Sequence, residues 1–391
     1  MNRESFCWLL LLVAVGGVSP QCAGAAETKF DLERGLRVSS DDQRWQLDVD
    51  ARVDGDAARF KSDVTPLPDQ KLLRHARLGL ALGFGRHVSA RVDREFGKVS
   101  PGWKNVWLQY RFNDRFALRA GSQAVPFGLD EAAGSDTLMF TERALGNALA
   151  PGILEGVMLR AQGAHWGASA GLFGNDISND DTRKMDGRSA IARLAFAPIN
   201  EERTTFHLGA SIEYRDANTG ASVRYRSRPE IEESSVRLVD TGTLAAVSRL
   251  LTAEADMAWA PGAFTLQIEA LRSTVKRDLA GDLTFHGANA AVSFVFTGER
   301  RSYRVGTGSF GSIKPRHKWG AIELAARVSR LDLEDGTVSG GVEDNVTVAL
   351  NWYWTRGSRL AIDYVKIHAS PNRNGIDESP DALLLRLQLG F

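Results

Sequence analysis

Arg224, Arg226 and Arg228 alternate with Val223, Tyr225 and Ser227. Side chains alternate in an extended chain, so the three guanidinium groups face one way at intervals of about 7 Å. Each planar fork offers paired donors to a phosphate or carboxylate, and a row of forks can pass an anion from site to site. Ladders of Arg and Lys are one way in which pores select anions. The row also reads as a solvated loop strand whose arginines pair with Glu230, Glu232 and Glu233. A second basic run, residues 298–318, carries Arg300, Arg301, Arg304, Lys314, Arg316 and Lys318 against a single acid, Glu299. If that run enters a lumen, its surplus charge lines the path; otherwise it is a basic turn.

Two motifs match enzyme patterns in form. Gly167-Ala168-Ser169-Ala170-Gly171 fits a nucleophile elbow, which needs a sharp strand-to-helix turn. Here it lies inside an alternating strand, and His165 stands about 13 Å from Ser169 along it, beyond hydrogen-bond reach. Gly306-Thr307-Gly308-Ser309-Phe310-Gly311 fits a dinucleotide loop, but Ile313-Lys314-Pro315 follows where a helix should begin. The seven histidines are scattered and form no metal-ligand pair. Asp176, Asp180, Asp181 and Asp186 read as a solvated acidic loop ahead of a divalent-ion site.

The elements that must position these residues are strands. Trp45, Leu47, Val49, Ala51 and Val53 share one face against Arg44, Gln46, Asp48, Asp50 and Arg52. Ala76 to Phe84, Val106 to Phe112, Phe206 to Tyr214 and Val346 to Trp354 repeat the alternation, and so does the terminal row Leu383, Leu385, Leu387, Leu389 and Phe391. The strands are about ten residues long with aromatics at their ends, which suits a membrane barrel better than a sandwich. A chain ending on its most apolar strand fits the same architecture. Zero formal net charge argues against a nucleic-acid partner.

Residues 1–26 read as a cleavable secretory leader. Arg3 precedes an apolar core from Phe6 to Val15, and Ala23-Gly24-Ala25-Ala26 offers a cutting site near Ala25 or Ala26. The apolar core is too short to span roughly 30 Å of hydrocarbon. Cys7 and Cys22 lie inside this leader, and Pro20-Gln21 before Cys22 makes a poor lipid-attachment site. Residues 27–391 then form one cysteine-free barrel domain, without disulfides or thiolate metal sites.

Strands are expected near 44–54, 73–84, 87–96, 104–112, 115–123, 154–162, 165–173, 188–197, 204–215, 246–260, 263–274, 285–297, 319–331, 345–354, 358–368 and 381–391. That is an all-β, transmembrane antiparallel barrel of about sixteen strands, with both termini on the periplasmic side. Short and long connections alternate, with one exception. Residues 298–318 should form a short turn but span about twenty residues, and a loop that long is usually functional. It is expected to fold into the lumen.

These features in order give the chain a family resemblance. The runs that carry it are Arg228-Pro229-Glu230, Asp240-Thr241-Gly242, residues 297–303, residues 308–315, residues 323–333 and Asn351-Trp352-Tyr353. Pro126-Phe127-Gly128-Leu129 followed by Glu142-Arg143 looks like a pore loop 3. Over nearly the whole mature sequence the chain resembles the phosphate-selective porin O and P family. The resemblance implies a trimeric sixteen-stranded channel with loops and a periplasmic turn folded inward, passing anions, phosphate or pyrophosphate in the best-understood members. It departs at one place: Asp136 stands where the best-known phosphate porins carry a binding lysine in loop 3.

The reading is therefore a passive outer-membrane channel for small anions such as phosphate or polyphosphate, needing no cofactor or metal. Its expected anion path is Arg224, Arg226, Arg228, Arg143, Arg300, Arg301, Lys314 and Lys318. The expected partners are small anions, the lipid bilayer, lipopolysaccharide and two further copies of the chain. The alternatives are a weakly selective porin, an outer-membrane lipid hydrolase and a plugged structural barrel.

Overall fold

The computed structural model describes residues 26–31, 35–178, 183, 185–278 and 280–391. The period-2 alternation becomes strands throughout. They are β1 (Ala26–Asp31), β2 (Gly35–Ser40), β3 (Trp45–Lys61), β4 (Gln70–Phe84), β5 (Val88–Glu95), β6 (Gly102–Arg111), β7 (Phe116–Ala124), β8 (Ile153–Gln162), β9 (Trp166–Phe173), β10 (Gly187–Asn200) and β11 (Thr204–Ala217). There follow β12 (Arg226–Ser227), β13 (Val239–Asp240), β14 (Val247–Pro261), β15 (Phe264–Arg277), β16 (Leu283–Val295), β17 (Arg301–Arg304), β18 (Ser309–Ile313), β19 (Ala321–Asp335), β20 (Val338–Tyr353), β21 (Arg359–Ala369) and β22 (Asp381–Gly390).

Leaving aside β1–β2, β12–β13 and β17–β18, the strands form a closed antiparallel barrel of sixteen. Each pairs with its successor, and β22 closes on β3 from Asp381↔Lys61 to Gly390↔Arg52. Closure satisfies every strand edge, a requirement for crossing lipid. The hairpin β1–β2 continues the sheet past the chain end, with β2 pairing with β3 at Leu36↔Val49. The sequence reading has no strands there. The leader it places at residues 1–26 lies outside the described residues except for Ala26, which opens β1.

The outward rows are apolar and exposed, including Leu78, Leu80 and Leu82 on β4 and Leu383 to Leu389 on β22. Trp45, Phe84, Trp259, Phe294, Trp352 and Phe391 ring the short-turn end, with ring pairs such as Trp259–Phe264 at 6.1 Å. This is the girdle of a membrane barrel. Exposed leucine belongs there, because lipid rather than water is the solvent.

Three segments fill much of the lumen. The loop 125–152 and the loop 218–246 share one apolar cluster with the inner wall, including Phe127, Leu145, Leu149, Tyr225, Phe285 and Leu331. The connection 296–320 turns inward as the hairpin β17–β18, the course expected for it. Tyr303 Oη lies 2.7 Å from His207 Nδ1 on β11, and Phe310 packs with Leu129 and Ala258. As a result, inward side chains from β10 to β22 are almost all buried, whereas many from β3 to β9 are only half-buried. The open lumen lies against the first seven barrel strands.

Candidate functional site

The open side is basic. Arg111 on β6, Arg119 on β7 and Arg160 on β8 all point inward, with Ala117 in register between Arg111 and Arg160. Neighbouring strands lie about 4.8 Å apart, so Arg111 and Arg160 stand roughly 10 Å from each other at their backbones. Arg119 lies two residues along from Ala117. Its guanidinium centre stacks 3.9 Å from the Trp107 ring, and Nε and Nη2 donate to Gln109 Oε1 at 3.1 and 2.9 Å. Neither partner neutralises it. From the inward hairpin Arg304 adds a fourth cation, close enough to repel Arg160 together with Arg111. Its Nη2 donates to Ser309 Oγ at 3.3 Å.

Two cavities run along this wall. One of about 260 Å³ is lined by Arg119, Arg160, Arg193, Arg304, Ser169 and Thr307. The other, of about 220 Å³, lies at the short-turn end and is lined by Arg111, Arg115, Gln109 and Gln162, together with the acid Asp114. Arg160 lines both. Arg193 is compensated, donating to Asp256 at 2.7 Å and Glu254 at 3.2 Å. Among the described residues no ion pair joins Arg111, Arg119, Arg160 or Arg304 to a carboxylate.

The opposite wall spends its arginines on architecture. Arg386 donates from Nε and Nη2 to Asp56, from Nη2 to Glu142 Oε1 at 2.5 Å, and from Nη1 to the Thr141 carbonyl. Arg359 donates to the Leu138 carbonyl at 2.7 Å and Arg327 to that of Glu142 at 3.0 Å. Asp363 Oδ2 accepts from Thr141 N–H and Oγ1. The wall thus clamps loop 125–152 by its backbone. Burial alone would raise the Glu142 carboxyl, but the guanidiniums of Arg74 and Arg386 outweigh it and hold the group below the ordinary range.

The residues picked out from sequence fall into three groups. Arg224, Arg226 and Arg228 do share a half-buried face while Val223 and Tyr225 are buried. Arg224 pairs with Asp240 at 2.5 Å and Arg228 with Glu232, so most of the ladder is balanced. Among the described residues Arg226 has no ion pair. Arg237 joins this group: burial lowers it to about 10, with repulsion from Arg228 and Arg226 adding to the effect.

Arg143 and Arg301 are internal braces. Arg143 donates to the carbonyls of Asp130 and Ala133 and pairs with Glu131 at 3.2 Å. Arg301 is buried against Glu323 at 2.7 Å and donates to the Thr137 carbonyl. Both guanidiniums are committed to loop 125–152 or the inner wall; Arg301 is buried, while the Arg143 side chain stays 26% exposed. Arg300 reaches the Glu201 and Glu202 carbonyls, tying the inward hairpin to a neighbouring turn. Lys314 and Lys318 are exposed beyond β18.

Arg119 and Arg160 escaped the sequence reading because a single inward arginine looks like any polar residue in an alternating strand. The signal is cross-strand. Once the short turns fix the register, Arg111, Ala117, Arg160, Ser169 and Arg193 fall on one row.

Asp136 is exposed in the lumen, and its charge acts on Arg52, whose Nη1 donates to Ser135 Oγ at 2.7 Å. Ser169 sits mid-strand in β9 with no helix after it, and His165 Nδ1 is taken by the Ala197 carbonyl at 3.0 Å. The Gly306–Gly311 run spans the β17–β18 turn and the start of β18. Of the acidic loop, Asp180 and Asp181 lie outside the described residues, and Asp186 accepts from Asn175.

An uncharacterized protein of Caulobacter vibrioides is 28% identical over 322 residues, an alignment covering 78% of this chain and 64% of the relative. Porin O of Pseudomonas aeruginosa is 25% identical over 414 residues, covering 94% of this chain and 93% of that protein. Among solved structures, an anion-selective porin from Comamonas acidovorans superposes with a TM-score of 0.57 at 13% identity, covering 89% of this chain and all of that one (100%). OmpT of Vibrio cholerae in a trimer form gives 0.55 at 11% identity, covering 89% and 99%. At such identities the two structures speak for the fold, that of an outer-membrane porin. The family of phosphate-selective porins O and P matches residues 47–391. The chain belongs to that family.

Proposed function

We propose that the chain is a passive outer-membrane channel favouring small anions, phosphate or polyphosphate among them. The reading is carried by Arg111, Arg119, Arg160 and Arg304, which line two cavities with Arg160 common to both and have no ion-pair partners among the described residues. Cations lining a narrow aqueous cleft between low-dielectric walls concentrate anions there. Arg226 and Arg237, neither in an ion pair among the described residues, form a second basic group in the loop 218–246, which would gather anions at the outer mouth. The path then runs from that loop along β3–β9 to Arg115 near the short turns. Residues 1–26 would serve as the export leader.

A homotrimer is part of this proposal. OmpT of Vibrio cholerae has a trimer form. Strands β5 and β9 have 8 residues each. At about 3.4 Å per residue and a tilt of roughly 40°, such strands rise about 20 Å, short of the ~25 Å apolar band. That wall is better covered by protein than by lipid.

The second reading, a weakly selective porin, draws on the exposed carboxylate of Asp136. Reversal potential in a potassium chloride gradient separates the two. Wild type should favour chloride, and R119A/R160A/R304A should lose most of that preference. A wild type that favours potassium rules the proposal out.

A further inference from the structure

The outward wall carries an arrangement that the channel does not explain. On β14 and β15, Arg249 stands directly opposite Lys276, and on β15 and β16 Arg272 stands opposite His286. The like charges of Arg249 and Lys276, facing each other across two strands, destabilise a sheet. Arg272, Lys276 and His286 are exposed, and among the described residues neither Arg272 nor Lys276 forms an ion pair. Among the described residues Arg249 has only a long contact of 3.6 Å to Asp216, and its Nε has no hydrogen-bond partner. Its guanidinium lies 5.0 Å from the ring of Tyr214, which also points outward.

Height along the barrel says what fills this gap. The outward row of β15 starts at Phe264 in the short-turn girdle. With a rise of about 3.4 Å per residue and a tilt of roughly 40°, Arg272 stands about 21 Å above Phe264 and Lys276 about 31 Å above it. They bracket the far edge of an apolar band of about 25 Å, the level of outer-leaflet headgroups. Ile268 lies below Arg272 on the same outward row, Ile212 is in register with Arg272 through Ala253, and Leu251 faces Thr274 between Arg272 and Lys276, so apolar surface runs up to and between the cations.

We infer that Arg249, Arg272 and Lys276 form a docking patch for a phosphate of the outer-leaflet glycolipid, lipopolysaccharide. The guanidinium forks accept a phosphate bidentately and the ammonium adds a point charge. The acyl chains lie along the apolar wall, and Tyr214 sits at the interface where such rings collect. The inference rests on the outer-membrane reading but not on anion conduction.

The test uses native mass spectrometry of detergent-folded wild type and R272A/K276A. Each is mixed with a bis-phosphorylated lipid A, its dephosphorylated counterpart, or inorganic phosphate alone. Wild type should retain the phosphorylated lipid, and the double variant about tenfold less, the loss of one or two charge-assisted bonds. Equal retention by the two proteins, equal retention of the dephosphorylated lipid, or capture of inorganic phosphate without lipid overturns the inference. Channel conductance of the variant should match wild type, since both side chains face away from the lumen. If that variant does not fold, R272Q/K276Q replaces it under the same criteria. A failed lipid test leaves conductance untouched, so the two readings fail separately.

Discussion

Replacing Glu233 by glutamine should remove a pH dependence from the docking of the loop 218–246. The Glu233 side chain is fully buried, and among the described residues neither carboxyl oxygen has a hydrogen-bond partner. It meets Asp56 of β3 and Glu142 of loop 125–152, with ligand oxygens of all three within 4.8 Å of one another. Arg386 of β22 stands 4.0 Å away, and Arg74 of β4 is turned to Glu142. Three carboxylates thus share two guanidiniums, leaving one charge unmatched. Burial, with Asp56 and Glu142 alongside, pushes the Glu233 carboxyl up to about 9 from an ordinary 4.5. Between those values the docked loop holds a proton that the released loop gives up. Docking is therefore strongest at low pH and weakens by about 1.4 kcal/mol per pH unit as pH rises. From pH 6 to pH 8 that is roughly 100-fold in the docking equilibrium. Hydrogen exchange across residues 225–245, corrected for intrinsic rates, reads it directly. Wild type should lose protection steeply over that interval while E233Q stays nearly flat. Equal slopes in the two proteins would mean that Glu233 does not carry the proton that couples docking to pH.

Two further outcomes follow from the clamp and the lumen. R386A leaves Asp56 and Glu142 buried without their shared guanidinium and should cost about 3–5 kcal/mol of loop docking. Single-channel conductance should rise as loop 125–152 loosens; an unchanged conductance with a wild-type melting curve would show that the clamp is redundant. D136N removes the exposed acid of the pore loop. At roughly 7 Å from a passing anion that charge is worth between about 0.6 and 2.4 kcal/mol, depending on the local dielectric. Anion preference in a salt gradient should therefore increase, and a decrease would mean that Asp136 orients a cation needed in the path.

The strands were legible because one physical rule governs them along the whole barrel. Wherever the wall meets lipid the outward residue must be apolar, so Leu78–Phe84 or Leu383–Leu389 betray both strand and register. The rule lapses above the membrane. There β3 runs on to Lys61 with Gly55, Ala57 and Arg59 outward, and β20 begins at Val338 before its apolar row starts. The hairpin β1–β2 was invisible for a related reason, being added at the edge of β3 without an apolar row of its own. The inward course of residues 298–318 was legible from length alone. What was not legible is which arginines are spent. The Arg224 row shows in its alternation, but its partner Asp240 comes from a separate strand of the loop. Nothing local distinguishes Arg301, locked against Glu323, from Arg160, which has no ion pair among the described residues.

The water path lies along β3–β9, with Arg160 lining both cavities. Cysteine occurs only at positions 7 and 22 of the sequence, so a cysteine introduced into the barrel is readily targeted. In planar bilayers R160C should react with a negatively charged methanethiosulfonate and lose current. S329C, at an inward position buried on β19, should be inert under the same conditions. A reactive, current-blocking S329C beside an inert R160C would put the path on the other wall and contradict the account.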